Sequence, residues 1–500
     1  MPAPAAHPRI EPTVLQALRS PRMLTREVLA GVVVALALIP EAIAFSIIAG
    51  VDPRVGLFAA FVMAVSIAFL GGRPAMISAA TGAVALVIAP VMRDHGLDYL
   101  LATVILAGIL QLAFGLLGVA KLMRFLPRSV MVGFVNALAI LVFTAQLPQL
   151  IDVPWAVYPL TAAGLAIIWL FPKLTRAVPA PLVAIVVLTV VVVVFGIHVP
   201  TVGDQGALPD ALPIPFLPDV PFTLETLQII APYALAMALV GLIESLLTAK
   251  LVDDITDTHS SKTREALGQG GANILAGLFG GMGGCAMIGQ TMINVKVSGA
   301  RTRISTFVAG AFLLVLVLAL GDVVAVIPMA ALVAVMIVVS IVSFDWHSVR
   351  PGTLRRMPLG ETIVMLSTVA MTVWTHNLAI GVGAGVVVAM VLFARRVAHF
   401  TTVTREVVET DAGQLARYRV DGELFFASSN DLTTQFAYSQ DPQRVQIDLT
   451  RSHVWDASSV AALDAITTKY RRYDIEVELV GMNASARAFH ERLTGGLGAD

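Results

Sequence analysis

Apolar runs long enough to span a bilayer recur from residue 26 to about residue 400, and this repetition constrains the fold more than any other feature. Crossing about 30 Å of hydrocarbon takes about 20 mostly apolar residues in a helix, which satisfies its own backbone N–H and C=O groups. Fourteen segments can be read, roughly 26–45, 55–70, 82–93, 99–118, 129–147, 155–171, 181–197, 227–249, 265–281, 290–298, 303–320, 324–343, 359–375 and 379–397. The third and tenth are too short to cross alone, and each follows an irregular stretch of small residues. Composition agrees: 57% of the 500 residues are hydrophobic and 13% charged, against about 25% charged in a soluble domain. The expected fold is an α-helical polytopic membrane protein.

Lysine and arginine give the orientation. Basic clusters lie at Lys121/Arg124/Arg128, Lys173/Arg176, Lys250/Lys262/Arg264, Arg301/Arg303, Arg350/Arg355/Arg356 and Arg395/Arg396. All follow even-numbered segments, so the positive-inside rule predicts an even count with both termini cytoplasmic. Residues 1–25 then form a cytoplasmic N-terminal segment without a cleavable signal peptide, and 26–400 the transmembrane domain. The connection 198–225 has four acids, no Lys or Arg and repeated prolines, which suggests an extended external loop. After Arg396 the pattern changes. "RYRVDGELFFAS", "RVQIDLTRS" and "IEVELVG" read as strands, and "DASSVAALDAITTKYRRY" and "NASARAFHERL" as helices. Residues 404–500 are therefore expected to form a cytoplasmic α/β domain.

Two acids interrupt the apolar segments. Glu41, in "IPEAIAFS", follows Pro40 in the first, and Glu244, in "ALVGLIESLLTAK", lies in the eighth. Each could snorkel or serve structure alone. A carboxylate at such depth more often faces a cavity or a pathway. Pro40 removes a backbone donor and is expected to unwind or kink its helix. Two lone acids seven segments apart suggest one shared site, where a carboxyl can take up and release a proton.

The short segments supply the other half of that site. "RPAMISAATGAVALVIAP" and "GGMGGCAMIGQTMINVKVSG" each pair a small-residue stretch with a short helix, starting near Ala80-Thr81-Gly82 and Gly289-Gln290-Thr291. A helix N-terminus at membrane depth binds anions through unpaired N–H groups and the dipole. Ser78, Thr81, Gln290 and Thr291 add neutral donors. The alternative is loose packing of small residues between helices. Glu41 precedes Thr81 by 40 residues and Glu244 precedes Thr291 by 47, which suggests a seven-segment repeat. An odd-numbered repeat must invert across the membrane, and paired short segments then mark a transporter's binding site.

Other chemistries find little support. Cys285 is the one cysteine, so no intrachain disulfide forms and a metal–thiolate cluster is not expected. "GLFGGMGG" lacks the lysine of a nucleotide loop. "VDDITDTHSSKTRE" reads as a solvated loop rather than a metal site, and the histidines have no ligand spacing. No nucleophile–base set can be assembled, so an intramembrane enzyme is disfavoured. No cofactor and no nucleic-acid partner are expected.

"IPEAIAFSIIAGVDPRVGLFAAF", "GQGGANILAGLFGGMGG" and "SGARTRIS" resemble signatures of the sulfate permease (SulP) family of anion transporters, over nearly the whole chain. Residues 404–500, with "IDLTRSHVWDASSVAALD", resemble the STAS domain that ends most members. The resemblance implies a seven-plus-seven inverted repeat shared with uracil permease. Segments 1–4 and 8–11 would form a moving core, and 5–7 with 12–14 a gate. Substrate would lie between the starts of segments 3 and 10, and the protein would be a homodimer. It also implies site-lining roles for Glu41 and Phe45, for Ala79, Ala80, Thr81 and Gly82, and for Gln290 and Thr291. Glu244 matches a polar position that contacts coupling ion or substrate in related transporters. Three positions depart from the family. Many members have Gln at Glu41, many animal members have Gly-Pro at Ala80-Thr81, and some have Arg at Thr291.

The expected function is proton-coupled symport of a small anion across the cytoplasmic membrane by alternating access. A dicarboxylate such as fumarate or succinate leads, with sulfate close behind. The alternatives are a sodium-coupled bicarbonate transporter, an anion exchanger or channel, and a signalling receptor.

Overall fold

The computed structural model describes residues 12–118, 127–174, 179–398, 401–410 and 413–494. Lys121, Arg124, Arg176 and both chain ends (1–11 and 495–500) lie outside the described residues. The chain divides into two compact units, Met1–Val386 and Val387–Asp500.

A short capped helix α1 (Val14–Arg19) leads into α2 (Pro21–Ala49). Pro21 sits in the first turn of α2, where its missing N–H costs nothing, and Gly50 ends the helix in the left-handed region at φ +76°. Helix α2 runs unbroken through Pro40, so the expected unwinding does not occur. Pro40 and most residues around it are buried against neighbouring helices, which hold the helix together where one hydrogen bond is lost.

There follow α3 (Pro53–Leu70), strand β1 (Ser78–Ala79), α4 (Gly82–His95), α5 (Leu97–Leu116), α6 (Arg128–Thr144), α7 (Val157–Leu174) and α8 (Ala180–Val194). The second half repeats the plan: α9 (Leu224–Thr256), α10 (Lys262–Leu278), strand β2 (Cys285–Ala286), α11 (Ile288–Met292) continued by a π-helical turn Ile293–Val297, and α12 (Arg303–Ala319). After a short α13 (Gly321–Ala325) come α14 (Met329–Ser343), a connecting α15 (Pro351–Arg356), α16 (Leu359–Thr375) and α17 (Leu378–Ala398). These elements account for the fourteen apolar segments. Among the described residues, α2, α3, α5, α7, α9, α17 and the stretch Arg128–Leu150 are long and apolar enough to cross a membrane alone.

The packing shows the duplication. Helix α5 lies on α10 as α12 lies on α3; α2 lies on α12 as α9 lies on α5; α6 lies on α16 as α14 lies on α7. Each pair turns into the other when the halves are exchanged, as a seven-plus-seven repeat demands. Helices α2–α5 pack mainly with α9–α12, and α6–α8 with α14 and α16. Without a hydrophobic drive between helices in lipid, close backbone approach supplies the contact. At the α5–α10 crossing, a Cβ on Gly108 would lie 2.6 Å from the Gly270 carbonyl, and one on Gly270 would lie 2.7 Å from that of Gly108.

In the second unit, β3 (Thr402–Thr410), β4 (Gly413–Leu424), β5 (Arg444–Val454) and β6 (Glu476–Val480) form one sheet in that order. The β3–β4 pair is antiparallel and the other two are parallel. Helices α18 (Phe426–Leu432), α19 (Ala457–Arg471) and α20 (Ala484–Leu493) complete it. Its core centres on buried Tyr418 and Tyr470, whose hydroxyls both donate to Asp441 while Arg405 pairs with the same carboxylate.

Candidate anion site

The two small-residue stretches meet. Strands β1 and β2 are antiparallel, with Ser78 opposite Ala286 and Ala79 opposite Cys285. Two-residue strands are cheap to pair only if the backbones approach closely, and Gly284 permits this. A Cβ there would sit 1.9 Å from the Ala79 carbonyl oxygen. Both short helices start just beyond this crossing, so their first turns come to one region. Thr81 caps α4, accepting from the Val84 N–H. Ala79 and Ala80 are buried. Gly289 is in the first turn of α11, and a Cβ on it would meet nothing within 4 Å.

Glu41 reaches this region from α2. Gln290 Nε2 donates to its Oε1 at 2.8 Å, joining the first helix to the second short one. Phe45, one turn further along the same face, packs over the start of α4: a Cβ on Gly82 would lie 2.9 Å from its ring and 3.0 Å from Val142 of α6. Glu41, Phe45, Gly82 and Gln290 are thus gathered at one place, and a residue of the second helix group borders it.

Glu244 approaches the same crossing from the other side. It is 7% exposed, and Cys285 Sγ donates to its Oε2 at 3.0 Å. The same sulfur lies 3.1 Å from Thr81 Oγ1, so Glu244, Cys285 and Thr81 form a chain ending at the cap of α4. The neighbouring Ser245 Oγ accepts from the Ala286 N–H at 3.0 Å. Among the described residues, no basic side chain pairs with Glu41 or Glu244.

Ser78 and Thr291 are fully buried and engaged in holding the crossing. Gln269 Nε2 donates to Ser78 Oγ at 2.7 Å, and Thr291 Oγ1 accepts from the Ile77 N–H at 3.0 Å. Among the expected neutral donors, these two serve the scaffold around the helix starts.

Three structural roles escaped the sequence reading. Cys285, treated only as a count, joins the Glu244 acid to Thr81; its place in the Gly-rich stretch before a short helix was the available signal. Glu27, wholly buried in α2, accepts from the N–H groups of Arg301 and Thr302 and so caps α12. The acidic stretch 252–265 is only in part a solvated loop: Asp254, Asp257, His259 and Arg264 are exposed, but Asp253 and Glu265 are not free. Asp253 pairs with buried Arg73 at 3.1 Å and with Lys262 at 2.6 Å. Arg73 also donates to Thr256 and Thr258, and Glu265 Oε2 accepts from the Gly72 and Arg73 N–H groups. Together they clamp the turn that feeds β1.

The sequence model described as "Sulfate permease family" matches residues 24–163 and 152–368, and the STAS domain model matches 407–493. "Putative sulfate transporter YbaR" of Bacillus subtilis (strain 168) is 52% identical over 470 residues, spanning 94% of this chain and 97% of its own length. The solved transmembrane domain of a cyanobacterium bicarbonate transporter, BicA, is 28% identical with a TM-score of 0.64, covering 74% of this chain and 98% of that one. The murine solute carrier 26 family member A9 anion transporter, solved in an inward-facing state, has a TM-score of 0.81 over 98% of this chain and 88% of its own. At 15% identity, that likeness is one of fold alone.

Proposed function

The chain belongs to the sulfate permease family and is a multi-pass membrane anion transporter rather than an enzyme; from that premise we propose that it is a secondary active transporter coupling a small anion to protons through Glu41. The observation carrying this reading is the hydrogen bond between Glu41 and Gln290, which sets an acid beside the convergent starts of α4 and α11. The first N–H groups of α4, apart from the Val84 N–H that Thr81 caps, have no intrahelical partners and carry the positive end of its dipole. They attract an anion, while an ionised Glu41 repels it. Taking up a proton removes that repulsion, so proton and anion load together.

The cycle then needs one body to move against another. In this reading α2–α5 with α9–α12 carry the site as the core, and α6–α8 with α14, α16 and α17 form the gate. Phe45 and Val142 both approach Gly82, and in this reading that place is the seam where the two would slide. The protein works in the cytoplasmic membrane as a homodimer, with the N-terminal segment and the STAS domain in the cytoplasm.

The relatives' names make sulfate and bicarbonate the first anions to try, with fumarate and succinate beside them. The deciding experiment is uptake of these labelled anions into proteoliposomes under an imposed pH gradient. Accumulation above equilibrium that the gradient drives is the expected result. Uphill uptake that follows sodium and ignores the pH gradient would refute proton coupling. The bicarbonate transporter among the similar structures makes bicarbonate the substrate of a second reading, in which sodium is the coupling ion and Glu244 helps to hold it. Replacing sodium by potassium at fixed pH separates the two.

A further inference from the structure

Gln290 is 3% exposed, and its side-chain amide is only half used. Nε2 donates to Glu41 Oε1 at 2.8 Å, while Oε1 is buried and has no hydrogen-bond partner among the described residues. A buried carbonyl without a donor costs about 1–3 kcal/mol. That cost is explained if the amide has a second position in which both its ends are used. We propose that Gln290 is a rotating switch that makes anion affinity depend on the protonation of Glu41. This rests on the reading above that Glu41 exchanges protons during transport.

The argument follows from donor and acceptor inventory. An ionised carboxylate only accepts, so it can hold Gln290 only by the NH₂ end, which is the arrangement observed. A protonated carboxyl gains an O–H donor, and the unpaired oxygen of the amide that already touches Glu41 is an acceptor for it. Rotating the amide by half a turn satisfies that oxygen and releases the NH₂ group from Glu41. Gln290 lies in the first turn of α11, so the freed donors add to the convergent helix starts where an anion would bind. With Glu41 ionised, the carboxylate holds the NH₂ group through one of those donors. Proton binding and anion binding then strengthen each other by the same factor, as linkage requires.

Among the described residues, no charged group is paired with Glu41. The next acid on α2 is Glu27, about 21 Å away along the helix and committed to the Arg301 and Thr302 N–H groups. Arg19 of α1 and Arg22 and Arg26 of α2 lie further back still. Of the elements packed on α2, α8, α11 and α14 contain no Asp, Glu, Lys, Arg or His. Arg54 of α3 lies beside Asp52, and Arg303 of α12 donates to the carbonyls of Ala68 and Gly71. Arg93, Asp94 and His95 lie in the last turn of α4, and Lys296 of the π turn is exposed.

The test compares the wild type with Gln290→Met, which fills the same space without an amide, and with Glu41→Gln. Equilibrium exchange of labelled sulfate, bicarbonate and fumarate, with no gradient, gives the apparent KM against pH. For the wild type, KM should fall on acidification. Gln290→Met should keep only the part of that fall that comes from removing the Glu41 charge, leaving its acid-side KM about tenfold above that of the wild type. Glu41→Gln, whose neutral side chain leaves Gln290 free to rotate, should hold it at the acid value. A Gln290→Met protein with the wild-type pH profile overturns the switch. Infrared difference spectra of the wild type after a pH step need no anion and no variant. A carboxyl band of Glu41 should appear together with a shifted primary-amide carbonyl band. The carboxyl band without the amide shift also overturns the switch. Loss of the carboxyl band and of gradient-driven uptake together would instead refute the role of Glu41.

Discussion

Glu41 and Glu244 occupy matching helices of a duplicated fold, yet their surroundings differ. Glu41 on α2 is partly exposed and is held across the repeat by Gln290, whose other polar atom is unsatisfied. Glu244 on α9 is enclosed and is held within its own repeat by Cys285, whose sulfur also meets the Thr81 hydroxyl. Duplication supplied two acids at related places. Sequence divergence around them left one with a partner whose carbonyl oxygen is unpaired among the described residues and the other in a chain of hydrogen bonds. Position alone therefore does not distinguish them as proton carriers. The proposal that Glu41 carries the proton rests on that difference in hydrogen bonding.

The largest effect should come from removing the frame that both acids share. Gly284→Ala would drive a methyl to 1.9 Å from the Ala79 carbonyl oxygen, and backbone on both sides leaves no flexible atom to yield. The β1–β2 crossing must open by more than an ångström. Loss of folded, monodisperse protein by size exclusion, or loss of all uptake from what folds, is the expected outcome. A well-folded, active Gly284→Ala protein would show that the crossing is not what positions either acid.

The next effect separates the two. Glu41→Gln should reduce pH-gradient-driven accumulation to the level of protein-free vesicles while leaving downhill exchange measurable. Glu244→Gln should lower the rate of both without abolishing accumulation, since it perturbs the Cys285–Thr81 chain rather than the acid proposed to carry the proton. If Glu244→Gln abolished accumulation and Glu41→Gln did not, the assignment would be reversed.

This contrast was only partly legible beforehand. Both glutamates stand out because a charge inside an apolar run is costly and therefore conspicuous. The fourteen segments are visible for the same reason. Glu27 was not, because it follows Arg26 near a span end and reads as an interfacial residue; its partners are 274 and 275 positions away. The 252–265 stretch misled similarly. Its charges look solvated until Arg73, about 180 residues earlier, folds against them. Pro40 misled in one respect, since α2 stays helical through it and does not unwind. The β1–β2 pair has no period to detect, being two residues on each side. Local polarity was readable, and long-range satisfaction of buried polar groups was not.

The smallest expected effect tests whether the Glu244 chain is as closed as it looks. Cys285→Ala removes the thiol that links Glu244 to Thr81 and leaves a buried carboxyl oxygen without its donor. That should cost about 1–3 kcal/mol of stability, read as a lower midpoint in thermal unfolding of the detergent-solubilised protein. Cys285→Ser keeps a donor and an acceptor on a shorter side chain, so it should recover much of the loss. Neither variant should move the pH at which anion affinity changes, because the proposal assigns that property to Glu41 and Gln290. If Cys285→Ala shifted the pH profile of KM while Cys285→Ser restored it, the closed chain would be a second proton-sensitive element. The two halves of the repeat would then be chemically more alike than their hydrogen bonds suggest.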